Sequence, residues 1–565
     1  MKNIAKYMSL AALCVVLPAC EMTLLPEDTL SPDTYFANAD QLELWANGFY
    51  TQLETPEDLT GQDADDRIEN NMGEVLMGRR SPASENGWNW EQLRDINYML
   101  ENIHRCTEKS TREQYTGVGL FHRAYFYFIK VRRYGDVPFY NTVIGSADVD
   151  NLYKKRDDRG VVMDSIIADL DKAITLLPTT KDQSHVTKWT ALALKSRVAL
   201  FEGTWRKYRG LADSEKYLKQ AADAAEDFID NSGYKLYTAG KTPYRDMFNS
   251  IDCVSEEVIL ARKYSQSANV MHSLVFNLIN GRTAMTKRFM NHYLMADGSF
   301  YSSQEGYATK GFTDEVSGRD PRLSQTILTP GYIQTGASAI TTNTLTSLTG
   351  YEPIKFVGDA AYTGANKGIS DYPVMRAAEV YLNFAEAKAE LGTLTQDDLN
   401  KSINKIRDRV NLKHLDLAEA NRNIDPLMRE YYPNVTQSGN TGVILEIRRE
   451  RTVELALEGF RLWDIFRWKE GQELTKPLYG IYFNGAGEYD MDADGTADLL
   501  LYTTDPGTFE GTIKKIGSDV ILSNGTSGYI HAQNTVTITW DENRDYLWPI
   551  PASERVLSGG ILSQN

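Results

Sequence analysis

Four runs between residues 113 and 230 carry apolar side chains at helical spacing, each closed by a breaker. That alternation constrains the fold more than any other feature. Residues 113–133 are predicted to form one helix, stopped by Tyr134-Gly-Asp-Val-Pro138. Residues 160–176 form the next, with Val162, Ile166, Ile167, Leu170 and Ile174 on one face and Pro178 closing it. Residues 187–206 and 213–230 make a further pair, rich in alanine and ended by Ser232-Gly233. A third pair is predicted at 374–391 and 396–412, with Gly392 between its members, and a fourth helical region at 442–471. A helical hairpin buries its apolar stripe only against a neighbour, and small residues let helices cross closely. The predicted class is therefore mostly α: tetratricopeptide-like hairpins in one large domain over residues 20–565. Segments 264–373 and 472–545 differ: rich in Gly, Ser, Thr and Tyr, they lack sustained helical period. They contain β-type stretches such as Thr535-Val-Thr-Ile-Thr-Trp540. Long irregular segments of this kind usually carry function, and they are expected to cover the ligand side of the helical body.

Charge and length remove several functions. The 77 Asp and Glu against 60 Lys and Arg leave a formal charge of −17, no footprint for phosphate-rich nucleic acid. The first nineteen residues read as a secretory signal. Lys2 and Lys6 precede the run Met8–Leu17, which is too short to span a bilayer. Leu17-Pro18-Ala19-Cys20 resembles a bacterial lipobox, in which the cysteine is lipidated and becomes the mature N-terminus. Cys106 and Cys253 remain, either as a pair in an exported protein or as buried thiols.

Catalytic signatures are missing. The seven histidines form no His-Glu-x-x-His, and no Cys-x-x-Cys, nucleophile elbow or phosphate-cradling glycine loop occurs. Arg448, Arg449, Glu450, Arg451, Glu454, Glu458, Arg461, Asp464 and Arg467 form the densest charge cluster. Helical spacing predicts Arg451 near Glu454, Glu458 near Arg461 and Arg461 near Asp464. Glycoside hydrolysis needs two carboxyls across a cleft with one pKa raised, whereas neighbouring cations lower it. The cluster reads as a structural ladder. Asp490, Asp492, Asp494 and Asp498 stand at positions 1, 3, 5 and 9 of an EF-hand-like spacing, with Gly495 at position 6. They are a candidate Ca2+ site, although Leu501 stands where the bidentate acid belongs; no other cofactor is expected.

Aromatic groups beside hydrogen-bonding groups suit a sugar, which offers an apolar face and a rim of hydroxyls. The breaker-rich stretch Arg79–Trp90 has that mixture, before a helix predicted at 90–105. Arg79, Arg80, Asn86, Trp88 and Trp90 are the leading candidates, with Trp90, which opens that helix, reading equally as core. Phe300, Tyr301 and Tyr307 after Asp297-Gly298 come second and read first as core aromatics under a loop.

Several stretches, taken in order, resemble the SusD/RagB family of outer-membrane nutrient-binding lipoproteins. They are Arg123-Ala-Tyr-Phe-Tyr-Phe with Tyr134-Gly-Asp-Val-Pro-Phe139, Arg319-Asp-Pro-Arg-Leu323 and Arg376–Ala387. Glu446–Trp468 and Tyr546-Leu-Trp-Pro-Ile-Pro551 complete the set. The resemblance implies a helical scaffold of four tetratricopeptide-like units, anchored by lipid at Cys20 and facing the cell surface. It implies capture of oligosaccharides, or in some members peptides, for a SusC-like TonB-dependent transporter, with no bond broken. The competing readings are a surface glycoside hydrolase and a protein-only adaptor.

Overall fold

Side-chain caps mark where four of the chain's helices start. The computed structural model describes residues 35–59, 63–145, 147–435 and 437–562; Cys20 and the signal segment 1–19 lie outside them. Helix α1 (Ala39–Asn47) opens where the Asn38 side chain accepts the Gln41 N–H. After α2 (Glu91–Asn102) comes α3 (Lys109–Tyr134), whose first N–H groups are taken by the Glu108 carboxylate. Helix α4 (Arg159–Leu176) is capped by Asp158, and α5 (Lys188–Lys207) by a reciprocal Thr187–Thr190 box. Helices α6 (Ser214–Asn231), α7 (Ala377–Leu391), α8 (Thr441–Glu454) and α9 (Arg461–Arg467) follow, and α10 (Ala552–Leu557) lies near the C-terminus. From α2 to α8 each of these helices packs on the next, forming one row. Close crossing is visible at Gly203 of α5, where an added Cβ would stand 2.9 Å from the Leu218 backbone nitrogen of α6.

Four predicted elements differ from the structure. Residues 372–376 are a strand, so α7 starts at Ala377 instead of 374. The helix read over 396–412 is two short ones, Gln396–Lys401 and Ile403–Asp408, broken at Ser402. The region 442–471 breaks after Glu454: Leu457 takes φ 59° and Gly459 φ 80° before α9 begins. Thr535–Trp540 is unpaired despite its alternation.

Strands are short and serve as ties. β1 (Arg67–Glu69) pairs antiparallel with β3 (Thr283–Met285), and β2 (Val258–Arg262) with β4 (Tyr372–Arg376). In the last third, β5 (Tyr479–Phe483) pairs with β9 (Gly528–His531). β6 (Gly487–Tyr489), β7 (Leu499–Tyr502) and β8 (Thr512–Lys515) form a mixed sheet. Cys106 and Cys253 are both buried and free.

Every residue of α8 is buried, charged ones included. A buried charge is tolerable only when paired and hydrogen-bonded, and the partners come from all over the chain. Glu454 receives Arg376 Nη1 at 2.8 Å, Arg409 Nη1 at 3.0 Å and Arg322 Nη1 at 3.2 Å. Arg376 also binds Glu257 and Glu458, and Lys355 reaches Glu458 at 2.5 Å. The predicted ladder along one helix is thus corrected. Arg451 pairs with Asp464, and Arg461 with Asp65, because the break after Glu454 removes the assumed spacing. Within helices, only Arg449–Glu446 and Arg467–Asp464 keep the i,i+3 form in this cluster.

Burial pushes the Glu454 carboxyl up, but Arg409, Arg376 and Arg322 together outweigh it and hold it down to about 2. Glu386 is likewise at about 2, where Arg467 overcomes burial. Between those values and the ordinary 4.5, the unfolded chain binds more protons, so stability is lost as the pH drops through that window and regained as it rises. Glu454→Gln is expected to cost about 3–5 kcal/mol at neutral pH in urea unfolding, and to flatten the acid slope. Removing the exposed Lys219–Asp223 pair should cost under about 1 kcal/mol.

Candidate functional site

The segment before α2 is held from below. Glu85 accepts Arg133 Nη2 at 2.9 Å, the Tyr134 hydroxyl at 2.7 Å and the Gly87 N–H at 2.6 Å. Lys130 of α3 donates to the Gly87 carbonyl at 2.6 Å. Gly87 is pressed so close that a Cβ there would lie 2.6 Å from the Tyr134 oxygen, so only glycine fits unaltered. Fixed this way, Trp88 and Trp90 meet edge to face with centroids 5.2 Å apart.

They line a cavity of about 360 Å3 between the start of α2, the segment 138–153 and α10. Tyr140 stands 5.9 Å from Trp90, its hydroxyl donating to the Asn151 carbonyl at 2.8 Å. Asn97, buried, donates to the Tyr140 and Thr142 carbonyls at 3.1 Å each and so fixes that wall. Leu152, Tyr153 and Leu557 complete an apolar rim, and Glu91, Arg94 and Glu554 supply charge around it. The size and the mixture of aromatic face and polar rim suit a small-molecule ligand.

The other sequence candidates sit elsewhere. Arg79 and Asn86 are exposed and line no part of this cavity. Arg80 is corrected from a ligand contact to a clamp. Its side chain is 6% exposed, donates to the Asp545 carbonyl at 2.5 Å and lies 4.7 Å from the Trp548 ring. Tyr301 is likewise scaffold: it is buried, with Arg319 3.6 Å above its ring and its hydroxyl bonded to the Tyr307 carbonyl. Phe300 packs against Leu294, Val410 and Leu412, and half-buried Tyr307 against Tyr301. The structure therefore does not bring this second group to the Trp90 cavity.

Tyr140, Tyr153, Leu557 and Leu562 were missed by sequence reading. Tyr140 directly follows the Tyr134–Phe139 motif, a usable signal. Nothing local marks the C-terminal stretch as a wall. Carboxyls displaced upward lie outside the cavity: burial takes Glu69 to about 8 and Glu470 to about 7.

In the acidic turn, Asp490, Asp492 and Asp494 bring carboxylate oxygens within 4.8 Å of one another. One Asp492 oxygen takes the Thr342 hydroxyl at 2.8 Å, while its Oδ1 has no hydrogen-bond partner. An oxygen-only donor set with an open acceptor fits a hard cation. Asp498 is corrected: its carboxylate accepts the Met491 N–H at 2.9 Å and stands outside the trio.

Arg80→Ala should lower unfolding free energy by about 2–3 kcal/mol in urea titration, since it strands buried acceptors of the C-terminal segment.

The chain matches known proteins along most of its length. Residues 257–565 match the model of the SusD family, and residues 70–200 a model described as starch-binding, associating with the outer membrane. SusD-like protein P2 of Formosa agariphila is 23% identical over 502 residues, covering 84% of this chain and 91% of the relative. A solved SusD-like protein from Bacteroides fragilis superposes with TM-score 0.69 at 24% identity, covering 94% of this chain and 98% of that one. A SusD-like carbohydrate binding protein from the same species gives 0.68 at 18% identity, covering 93% and 99%. A structure described with xylogluco-oligosaccharide gives 0.62 at 17%, covering 93% and 99%. Among the described residues no helix is long and apolar enough to cross a membrane. With a family model matched over more than half of its length, this chain belongs to the SusD family.

Proposed function

We propose that this protein is a non-catalytic glycan-binding lipoprotein of the outer membrane. It captures oligosaccharides at the Trp90 cavity and delivers them to a SusC-like TonB-dependent transporter. One observation carries the binding role: Trp90, Tyr140 and Tyr153 face a preformed 360 Å3 cavity beside Arg94, Glu91 and Glu554. Aromatic faces cover the apolar side of a pyranose while the polar rim bonds its hydroxyls. The carbohydrate-binding and xylogluco-oligosaccharide neighbours support the ligand class. Lipidation at Cys20 rests on the lipobox resemblance, and the family description supports the outer membrane.

Calorimetry of the mature chain against oligosaccharides and peptides, with cleavage assayed in the same mixtures, tests the reading. Saturable sugar binding without products is expected. Trp90→Ala and Tyr153→Ala should each weaken it by about tenfold or more, while Arg79→Ala changes it little. Products abolished by a single carboxylate substitution would overturn the reading in favour of a hydrolase. Peptide binding alone would reassign the ligand, and loss of transporter association without any sugar affinity would favour an adaptor.

The same protein would hold Ca2+ at Asp490, Asp492 and Asp494, as a structural ion far from bond chemistry. Adding Ca2+ to chelator-treated protein is expected to raise Tm by a few degrees, and Asp492→Asn to remove the increment; an unchanged Tm in the parent sinks the assignment.

A further inference from the structure

A second cavity, of about 320 Å3, opens on the opposite side of the first turns of α2, against α3 and the short turn Gly48–Gln52. Glu91 lines both cavities and forms the ridge between them. Helical geometry divides the rest: Arg94 and Asn97 face the first cavity, Gln92 and Asp95 the second.

Its chemistry is more polar, and three of its groups are left open. Lys130 is 6% exposed, forms no salt bridge among the described residues and lies over the Phe126 and Trp90 rings at 5.0 and 5.6 Å. The Gly87 carbonyl takes one N–H, leaving two without a hydrogen-bond acceptor. The Gln52 amide nitrogen is committed to His122, at 2.9 Å from Nδ1 and 3.3 Å from the carbonyl oxygen. Gln52 Oε1, buried, therefore has no partner. The Asp95 carboxylate takes no donor from the described residues, although its backbone carbonyl accepts Trp45 Nε1 at 3.0 Å. Open donors and acceptors around a small apolar floor of Phe126 and Ile129 match a ring of hydroxyls, each both donor and acceptor. Two carboxylates against one ammonium set the charge balance, which disfavours sulfate or uronate groups.

We propose that this cavity is a second subsite, taking a neutral sugar unit of the same oligosaccharide whose neighbouring units occupy the aromatic cavity. The ligand chain crosses over Glu91. The inference rests on the glycan reading above and adds to it a length requirement and a charge preference.

Purified protein titrated by calorimetry with neutral xylogluco- and malto-oligosaccharides, from disaccharides upward, provides the test. Affinity is expected to rise by about tenfold once the chain is long enough to reach past Glu91. Asp95→Ala should remove most of that rise and Asp95→Trp, which fills the cavity, all of it. Both should leave the affinity for disaccharides unchanged, and circular dichroism melting confirms the fold at this exposed position. Sulfated or uronate chains of equal length should gain nothing from length. Length-independent affinity, or a rise untouched by Asp95→Trp while Trp90→Ala abolishes binding, overturns the second subsite and leaves the first. Failure of every neutral sugar to bind overturns the glycan reading and this subsite with it.

Discussion

The convergence of Arg322, Arg376 and Arg409 on Glu454 is the interaction on which the rest of the structure depends. Each arginine comes from a different stretch: a short helix after Pro321, the end of β4, and the turn beyond Asp408. The irregular middle of the chain is thereby pinned to α8 at fixed points. Such a cluster is costly to desolvate, and its net worth against a well-packed apolar core is small. What it supplies is selectivity, because any other packing leaves a carboxylate or a guanidinium buried alone. Tyr244 extends the same node, its hydroxyl bonding the Glu454 carbonyl at 2.7 Å.

This node also explains which parts of the fold were legible in the sequence. The predicted 160–176 helix appears as Arg159–Leu176 because its apolar spacing and its caps are local. The break at Leu457 has one local signal, Gly459, and a single glycine is also tolerated within a helix. Glu458 is engaged by Lys355 and Arg376, and the backbone follows the charge. Thr535–Trp540 alternates like a strand but meets no partner edge, so alternation alone did not decide it. The motif Arg319-Asp-Pro-Arg-Leu323 resolves into physics: Asp320 orients Arg322 at 2.7 Å, and Arg322 then reaches Glu450 and Glu454.

At the candidate site the same division holds. Trp88 and Trp90 stand out in the sequence as aromatics in a breaker-rich stretch; both line the cavity, and Trp88 belongs to the hydrophobic core as well. Arg80 looked equivalent, yet its partners Asp545, Leu547 and Trp548 lie more than 460 positions away. A guanidinium that stacks on an aromatic ring and bonds two carbonyls is indistinguishable in sequence from one waiting for a ligand. The loop itself is set before any ligand arrives, through Glu85 and Lys130, which lowers the ordering cost of binding.

The walls of the aromatic cavity come from both ends of the chain: Trp90 and Asn97 near the start, Leu557 and Leu562 near the end. Their junction is tied where the Ala552 N–H meets the Pro82 carbonyl at 2.8 Å. Contacts so distant in sequence close late, after the loops between them have been ordered. The site therefore has a place in time as well as in space. The pocket is complete only where the segment 552–562 is docked on the segment before α2.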